Sequence, residues 1–377
     1  MMKVRIILIF IFWFTPGYIF ALELSLPEYK SIAPGVWYGE VKEKDPPVIY
    51  HVIKVDLNVD RVAIRPLRPM ESETLGQTVS RIDSERFSLV GAITGDYYLR
   101  LIDYKLIVPW GILVEDGRLL FSPTGKSALC YNAEKKFHIS VPTMAARIWN
   151  RTDSSEVSVT AVNRQIRSGE TQCGIYNSIW GAFAPDFPQG FAITVTGDSE
   201  FRLDRPIKGM VTGISRLPLK ASIPQGGFVI IMEKPHLPDL LKLGSQVIVN
   251  IEVSSSPENA IGGGPRILRE GKVSIELSQE NFGVGKAFYI KNSRHPRSAV
   301  GIDRDEKTMF LVVVEGRSAE SQGMNMKELA KLLLSLGATE AMAFDGGRSV
   351  SMYAAGKEVV KGDRQMADAL GVFQIKP

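Results

Sequence analysis

The first two thirds of the sequence break into short runs rich in Val, Ile, Leu and Phe. They are Val48–Leu57, Val62–Leu67, Ser88–Ile93, Ile107–Glu115, Arg118–Phe121, Val157–Val162, Phe191–Thr196, Phe228–Met232 and Val247–Val253. Runs of this length and β-branched content suit strands rather than helices, and turn formers such as Glu115-Asp116-Gly117 and Gln225-Gly226-Gly227 separate them. A clear helical pattern stands between Asn325 and Leu336. Asn325 can cap it, Glu328 follows three residues on, Leu329, Leu332, Leu333 and Leu336 line one face, and Gly337 ends it. Thr78–Arg86 reads as a second, shorter helix. The expected fold class is therefore α+β, a mixed β-sheet with few helices. Asn150–Glu156 and Ser254–Gly264 are the only weak boundaries, and neither is long or flexible enough to act as a tether. A single domain is expected after the leader, with a β-rich N-terminal part over residues 22–90.

Of the 377 residues 45% are apolar and 23% charged, as in an ordinary globular chain. Residues Met1–Ala21 carry Lys3 and Arg5, an apolar run from Ile6 to Phe14, a Pro16-Gly17 break and a small residue at Ala21. That is the layout of a secretory signal peptide. An uncleaved N-terminal anchor is the alternative, and no other segment is suited to spanning a membrane. The protein is thus expected to be exported, periplasmic or extracellular. Without Lys3 and Arg5, the 45 basic residues become 43 against 41 acidic ones, and no basic stripe appears, so nucleic acid is not an expected partner. Cys130 and Cys173 fit either one disulfide or two buried thiols. The four histidines, His51, His138, His236 and His295, are scattered without metal-ligand spacing, so no metal or cofactor is expected. No Gly-x-Ser-x-Gly elbow is present.

The C-terminal third permits a geometric argument. Met309–Val314 reads as a buried strand that runs into Glu315-Gly316-Arg317. The capped helix follows, then a strand over Glu340–Phe344, then Asp345-Gly346-Gly347. A strand, helix, strand unit in one sheet makes the two strands parallel, so Glu315 and Asp345 both leave from carboxyl ends. Arg297–Asp303 reads as a further strand, joined to Met309 by a polar loop, and a hairpin centred there sets Arg297 opposite Val314 or Glu315. Two arginines and two carboxylates would then share a rim beside glycines whose amides can face an anion. Taken by residue type alone, the same groups read as solvated strand-end charges and an Asp-Gly turn.

At these residues the chain resembles the phosphodiester glycosidase family, which includes exported bacterial proteins and the animal lysosomal uncovering enzyme. The matching blocks are Gly262-Gly263-Gly264-Pro265, His295–Gly301, Glu315-Gly316-Arg317, Gly323–Ala330, Asp345-Gly346-Gly347-Arg348-Ser349 and Arg364–Leu370. Earlier blocks, Ala92–Tyr98, Asn163-Arg164-Gln165 and Trp180-Gly181, extend the likeness and imply a family-like domain over residues 91–377. The sequence departs from the family in having Arg348 in place of a third glycine, Glu315 for Asp, and Thr94 and Asp368 for Asn. The resemblance implies hydrolysis between a sugar anomeric carbon and a phosphate oxygen, on a sugar-phosphate or envelope glycan. In that reading Arg297 and Arg317 hold the phosphate, Asp345 is nucleophile or base, and Glu315 orients an arginine or is the second carboxylate. Asp96 is a further catalytic candidate by resemblance, or else a turn residue. Arg364 is a third anion contact or a solvated loop charge. Gly346 and Gly347 offer amides to the ligand, Ser349 is a further donor or simply a loop residue, and Arg348 either adds a phosphate contact or fills the sugar pocket. A glycan-binding protein of the same fold without turnover, and a phosphodiesterase cutting phosphorus to oxygen, are the competing readings. Oligomeric state is left open.

Overall fold

The computed structural model describes residues 24–376 apart from 71, 83–85, 102–105, 133, 151–154, 167–172, 219, 235, 281 and 283–290. The export segment expected over Met1–Ala21 lies outside the described residues. Among the described residues no helix is long and apolar enough to cross a membrane.

Among the described residues, four substantial sheets and one small hairpin make the fold mostly β. The central sheet has eight strands in the order Lys30–Ala33, Val36–Lys44, Pro47–Asp56, Thr308–Val314, Arg297–Ile302, Glu340–Ala343, Arg266–Arg269 and Lys272–Val273. Thr308–Val314 is apolar at nearly every position because both faces are covered. Phe310, Val312 and Val314 face the helix Met326–Ser335 through Leu329, Leu332 and Leu333, whereas Met309, Leu311 and Val313 join the core that also holds Ile93, Met352 and Leu370. Residues Lys357–Val360, Met352–Ala354, Phe87–Thr94, Ala369–Ile375 and Val62–Leu67 build a second sheet against that face. N-terminal strands are thus direct partners of C-terminal ones in both sheets.

A third, five-stranded sheet contains Ala128–Tyr131, Asn259–Gly262 and Leu113–Glu115. The fourth, of eight strands, is built from residues 144–253. The sheet bearing the predicted site is antiparallel throughout. Its Thr308–Val314 and Glu340–Ala343 strands run parallel to each other, but only as the two flanks of Arg297–Ile302. Among the described residues, parallel pairing joins Ala161–Val162 and Cys173–Tyr176, so the expected mixed character is confined there to one ladder of the fourth sheet.

Three local expectations change. Ile107–Glu115 divides into Leu106–Pro109 and Leu113–Glu115 because Gly111 lies backbone to backbone with Gly262; a Cβ there would sit 2.8 Å from the Gly262 Cα. Val157–Val162 likewise divides, into Glu156–Ser158 and Ala161–Val162, where Thr160 donates to the Cys173 carbonyl at 2.8 Å. The short helix runs over Leu75–Arg81, earlier than Thr78–Arg86, since Thr74 and Gln77 close a reciprocal capping box. The helix Met326–Ser335 begins where expected, with Asn325 and Glu328 each bonding the other's backbone at 3.0 Å. Cys130 and Cys173 are free, buried thiols, and burial pushes them up to about 11 and about 12.

Candidate active site

The Arg297–Ile302 and Thr308–Val314 hairpin pairs Arg297 with Val314, which brings Arg297 to the level at which Glu315 leaves the sheet. Glu315 is fixed from the other side by its own amide, which donates to Ile49 O at 2.9 Å. The loop that follows is pinned by Ser321: its hydroxyl donates to Glu315 O at 2.7 Å and accepts from the Ile49 amide at 3.0 Å. Within this loop Arg317 adopts φ +65°, a left-handed conformation that costs a residue with a side chain roughly 1–3 kcal/mol. Its guanidinium lies beside Gly347, where a Cβ would sit 3.1 Å from Arg317 Nη2. Gly347 itself has φ +68°, a turn conformation that favours glycine there.

An open groove of about 240 Å³ lies along this rim, lined by Pro296, Glu315, Arg317, Gly347, Arg348 and Asp363, among others. A larger depression of about 430 Å³ on the fourth sheet, around Arg147, Glu156 and Glu252, contains none of the predicted site residues. Glu315 accepts a hydrogen bond at 2.9 Å from Nε2 of the buried His51, whose Nδ1 lies 2.8 Å from the Tyr38 hydroxyl. Arg348 is turned outward into a two-pronged pair with Asp363, at 2.8–3.1 Å, and so lines the groove's edge rather than filling it.

Asp345 follows the Glu340–Ala343 strand, its amide donating to Gly95 O at 2.8 Å. Burial pushes its carboxyl up to about 6, opposed by the Ser349 hydroxyl, the charge of Arg364 and the Gly346 amide. Arg364 stands 5.4 Å over the Tyr98 ring. Arg297 is buried behind Gly346, with Nε donating to Met324 O at 2.8 Å and Nη2 to Ser293 O at 2.7 Å. Much of its fork is thereby engaged by backbone, and its charge bears on the Tyr97 hydroxyl and on His295.

Asp96 lies deeper. Its amide donates to Asp368 Oδ1 at 2.7 Å, and its own Oδ2 accepts from the Gly111 amide. Both carboxyls are fully buried. Burial and the neighbouring Asp368 raise Asp96 well above the usual range, while burial pushes Asp368 up to about 7. The cation facing them is Arg164, whose own donors go to the carbonyls of Ser122, Pro109 and Gly111. Between this layer and Asp345 stands Tyr97, its hydroxyl pushed up by burial and by the Asp345 charge, against the pull of Arg297. Its ring packs on Trp110 and Phe282, with centroids 5.9 and 5.6 Å away.

The structure therefore gathers Glu315, Arg317, Gly347 and Arg348 at one groove. Asp345, Gly346, Ser349, Arg364 and Arg297 lie immediately beside it, and Asp96 is in the layer beneath. His51, Tyr38, Tyr97 and Asp368 were not predicted. Asp368 lies within the recognised Arg364–Leu370 block and Tyr97 within Ala92–Tyr98, so their positions carried a signal; His51 and Tyr38 carried none.

Residues 216–373 match the phosphodiester glycosidase family model. The match covers Glu315, Arg317, Asp345 and Asp368, and begins after Asp96 and Arg164. Two solved structures share the fold. A hypothetical protein from Synechocystis superposes with a TM-score of 0.75 at 18% identity, over 93% of this chain and 64% of that one. A putative exported protein from Burkholderia pseudomallei K96243 superposes with a TM-score of 0.69 at 19% identity, over 88% of this chain and 74% of that one. In sequence, an uncharacterized SPbeta prophage-derived protein of Bacillus subtilis, YomE, is 37% identical over 68 residues, 18% of this chain and 10% of that protein. The chain thus spans less than two thirds of the Synechocystis relative and meets the Bacillus one over a small part. The phosphodiester glycosidase match and the site coincide, since the model's C-terminal stretch contains the strand ends that carry the groove.

Proposed function

We propose that this protein is an exported hydrolase that cleaves the bond between a sugar anomeric carbon and the phosphate oxygen of a sugar-1-phosphodiester. The observation that carries the reading is the groove shared by Glu315, the strained Arg317 and the Gly347 backbone, which follows two residues after Asp345, a carboxyl raised by burial. The family match over residues 216–373 supports the same reaction class. Export rests on the pattern of Met1–Ala21.

Water adds to the anomeric carbon, the carbon to oxygen bond breaks, and the phosphomonoester leaves with the bonding pair. A phosphate leaves readily, so neutralising its charge matters more than protonating it strongly. Arg317 binds the phosphate directly, while Arg364 and the buried Arg297 contribute field. Asp345, half-buried beside Gly346, takes the proton from water or attacks carbon itself; Glu315 serves as the second carboxylate on the groove side. Arg348, paired outward with Asp363, leaves the groove open.

Purified protein lacking residues 1–21 is offered a panel of sugar-1-phosphodiesters, beside Asp345→Asn and Arg317→Ala. Free sugar and a phosphomonoester are expected from the parent, with turnover down at least about 100-fold in each variant. Retention of phosphate on the sugar would replace this reaction with phosphorus to oxygen cleavage. Ligand binding without turnover in the folded parent would make the protein a glycan-binding relative of the same fold.

A further inference from the structure

Glu315 has 39% of its side chain exposed, yet its carboxylate is tied to a ring that is almost wholly buried on a strand 264 residues earlier. His51 sits in Pro47–Asp56 opposite Val313, among neighbours Tyr50, Val52 and Ile53 that are fully enclosed. An imidazole in such surroundings is costly unless both nitrogens find partners. Here one partner is the groove carboxylate itself, and the other is Tyr38, whose ring also stacks against the imidazole at 6.1 Å and 16°. Around this pair, Glu40 approaches His51 Nδ1 to 4.0 Å and is itself bonded to Lys42 at 2.7 Å.

We propose that His51 is a positioning residue for Glu315: its Nε2–H holds one carboxylate oxygen at the groove rim, with Tyr38 bracing the far side of the ring. An ionised carboxylate accepts only, so the proton of the Glu315 contact belongs on Nε2. A glutamate otherwise free to rotate on an exposed rim is thereby fixed to one orientation, which leaves its second oxygen directed to the ligand. The inference rests on the proposed reading of the groove as the reaction site. It goes beyond that reading in joining the N-terminal sheet strand to the chemistry.

The test compares His51→Leu, which removes the donor, with His51→Gln, which restores an N–H near the Nε2 position. Turnover of a sugar-1-phosphodiester is measured alongside nitrogen-15 spectra of the imidazole in the parent and in Glu315→Leu. His51→Leu is expected to lower kcat by about 10–100-fold with KM within about threefold, and His51→Gln to recover most of the loss. The parent spectrum should show a protonated Nε2 whose resonance moves when Glu315 is replaced. A folded His51→Leu protein with unchanged kcat, or an Nε2 signal indifferent to Glu315→Leu, would overturn the inference. If the parent turns nothing over, the catalytic reading of the groove fails separately. The spectra, with the Glu315 carboxyl carbon-13 shift in His51→Leu, then decide whether the pairing exists in solution.

Discussion

Asp345 is pulled in two directions: enclosure favours its neutral form, and Ser349, Arg364 and the Gly346 amide favour its charge, with the balance at about 6. If the ionised form is the working one, kcat/KM rises with pH through an acid limb near that value. Ser349→Ala removes an influence that lowers the carboxyl, so the limb should move to higher pH, and Arg364→Ala should move it the same way; a pH–rate profile of each variant checks both shifts. By residue type alone Glu315, Arg317, Asp345 and Gly347 read as strand-end charges and a turn; their place at neighbouring strand ends was legible from the strand pattern and the family resemblance together. The histidine behind Glu315 was not. Nothing in a scattered His51 reveals that a strand 264 residues distant will carry Glu315 against it.

Local patterns predicted the elements well where neighbouring residues alone set them. The polar loop of the Arg297 hairpin fixed a register that the structure repeats, Arg297 against Val314. Asn325 and Glu328 announced a helix start because a capping box needs nothing beyond four consecutive residues. Asn325→Ala should therefore cost about 1 kcal/mol in urea unfolding, with little change in the groove. Gly301 is a sharper case, since a Cβ there would come within 2.8 Å of Leu333 on the covering helix and of Ala338 just beyond its end. Gly301→Ala should destabilise by about 1–3 kcal/mol through overpacking, measured as a lowered denaturation midpoint. Where elements broke against expectation, as at Gly111, the cause was a tertiary contact with Gly262 that no local pattern encodes.

At the scale of the molecule, Asp96, Asp368 and Arg164 tie the second sheet to the third at their buried junction. Asp96 is raised well above, and Asp368 to about 7 from, carboxyl values that stay near about 4 in an unfolded chain. The folded protein thus keeps protons that the unfolded one has released. Their contribution to stability is complete below about pH 4 and declines as pH rises, that of Asp368 being gone above about 7. Asp368→Asn should flatten that decline and leave the protein more stable than the parent at pH 8, as read from melting curves across pH. Strand order has a further consequence, in time rather than space. Pro47–Asp56 pairs with Thr308–Val314, and Val62–Leu67 with Ala369–Ile375. At about 5–20 residues per second of synthesis, the first pair must wait on the order of ten to fifty seconds for its second member to emerge. A ribosome-bound chain arrested before Thr308 should therefore be open to protease across Val36–Asp56, and the central and second sheets close only near the end of translation, whereas the fourth sheet, built from residues 144–253, has all its strands much earlier.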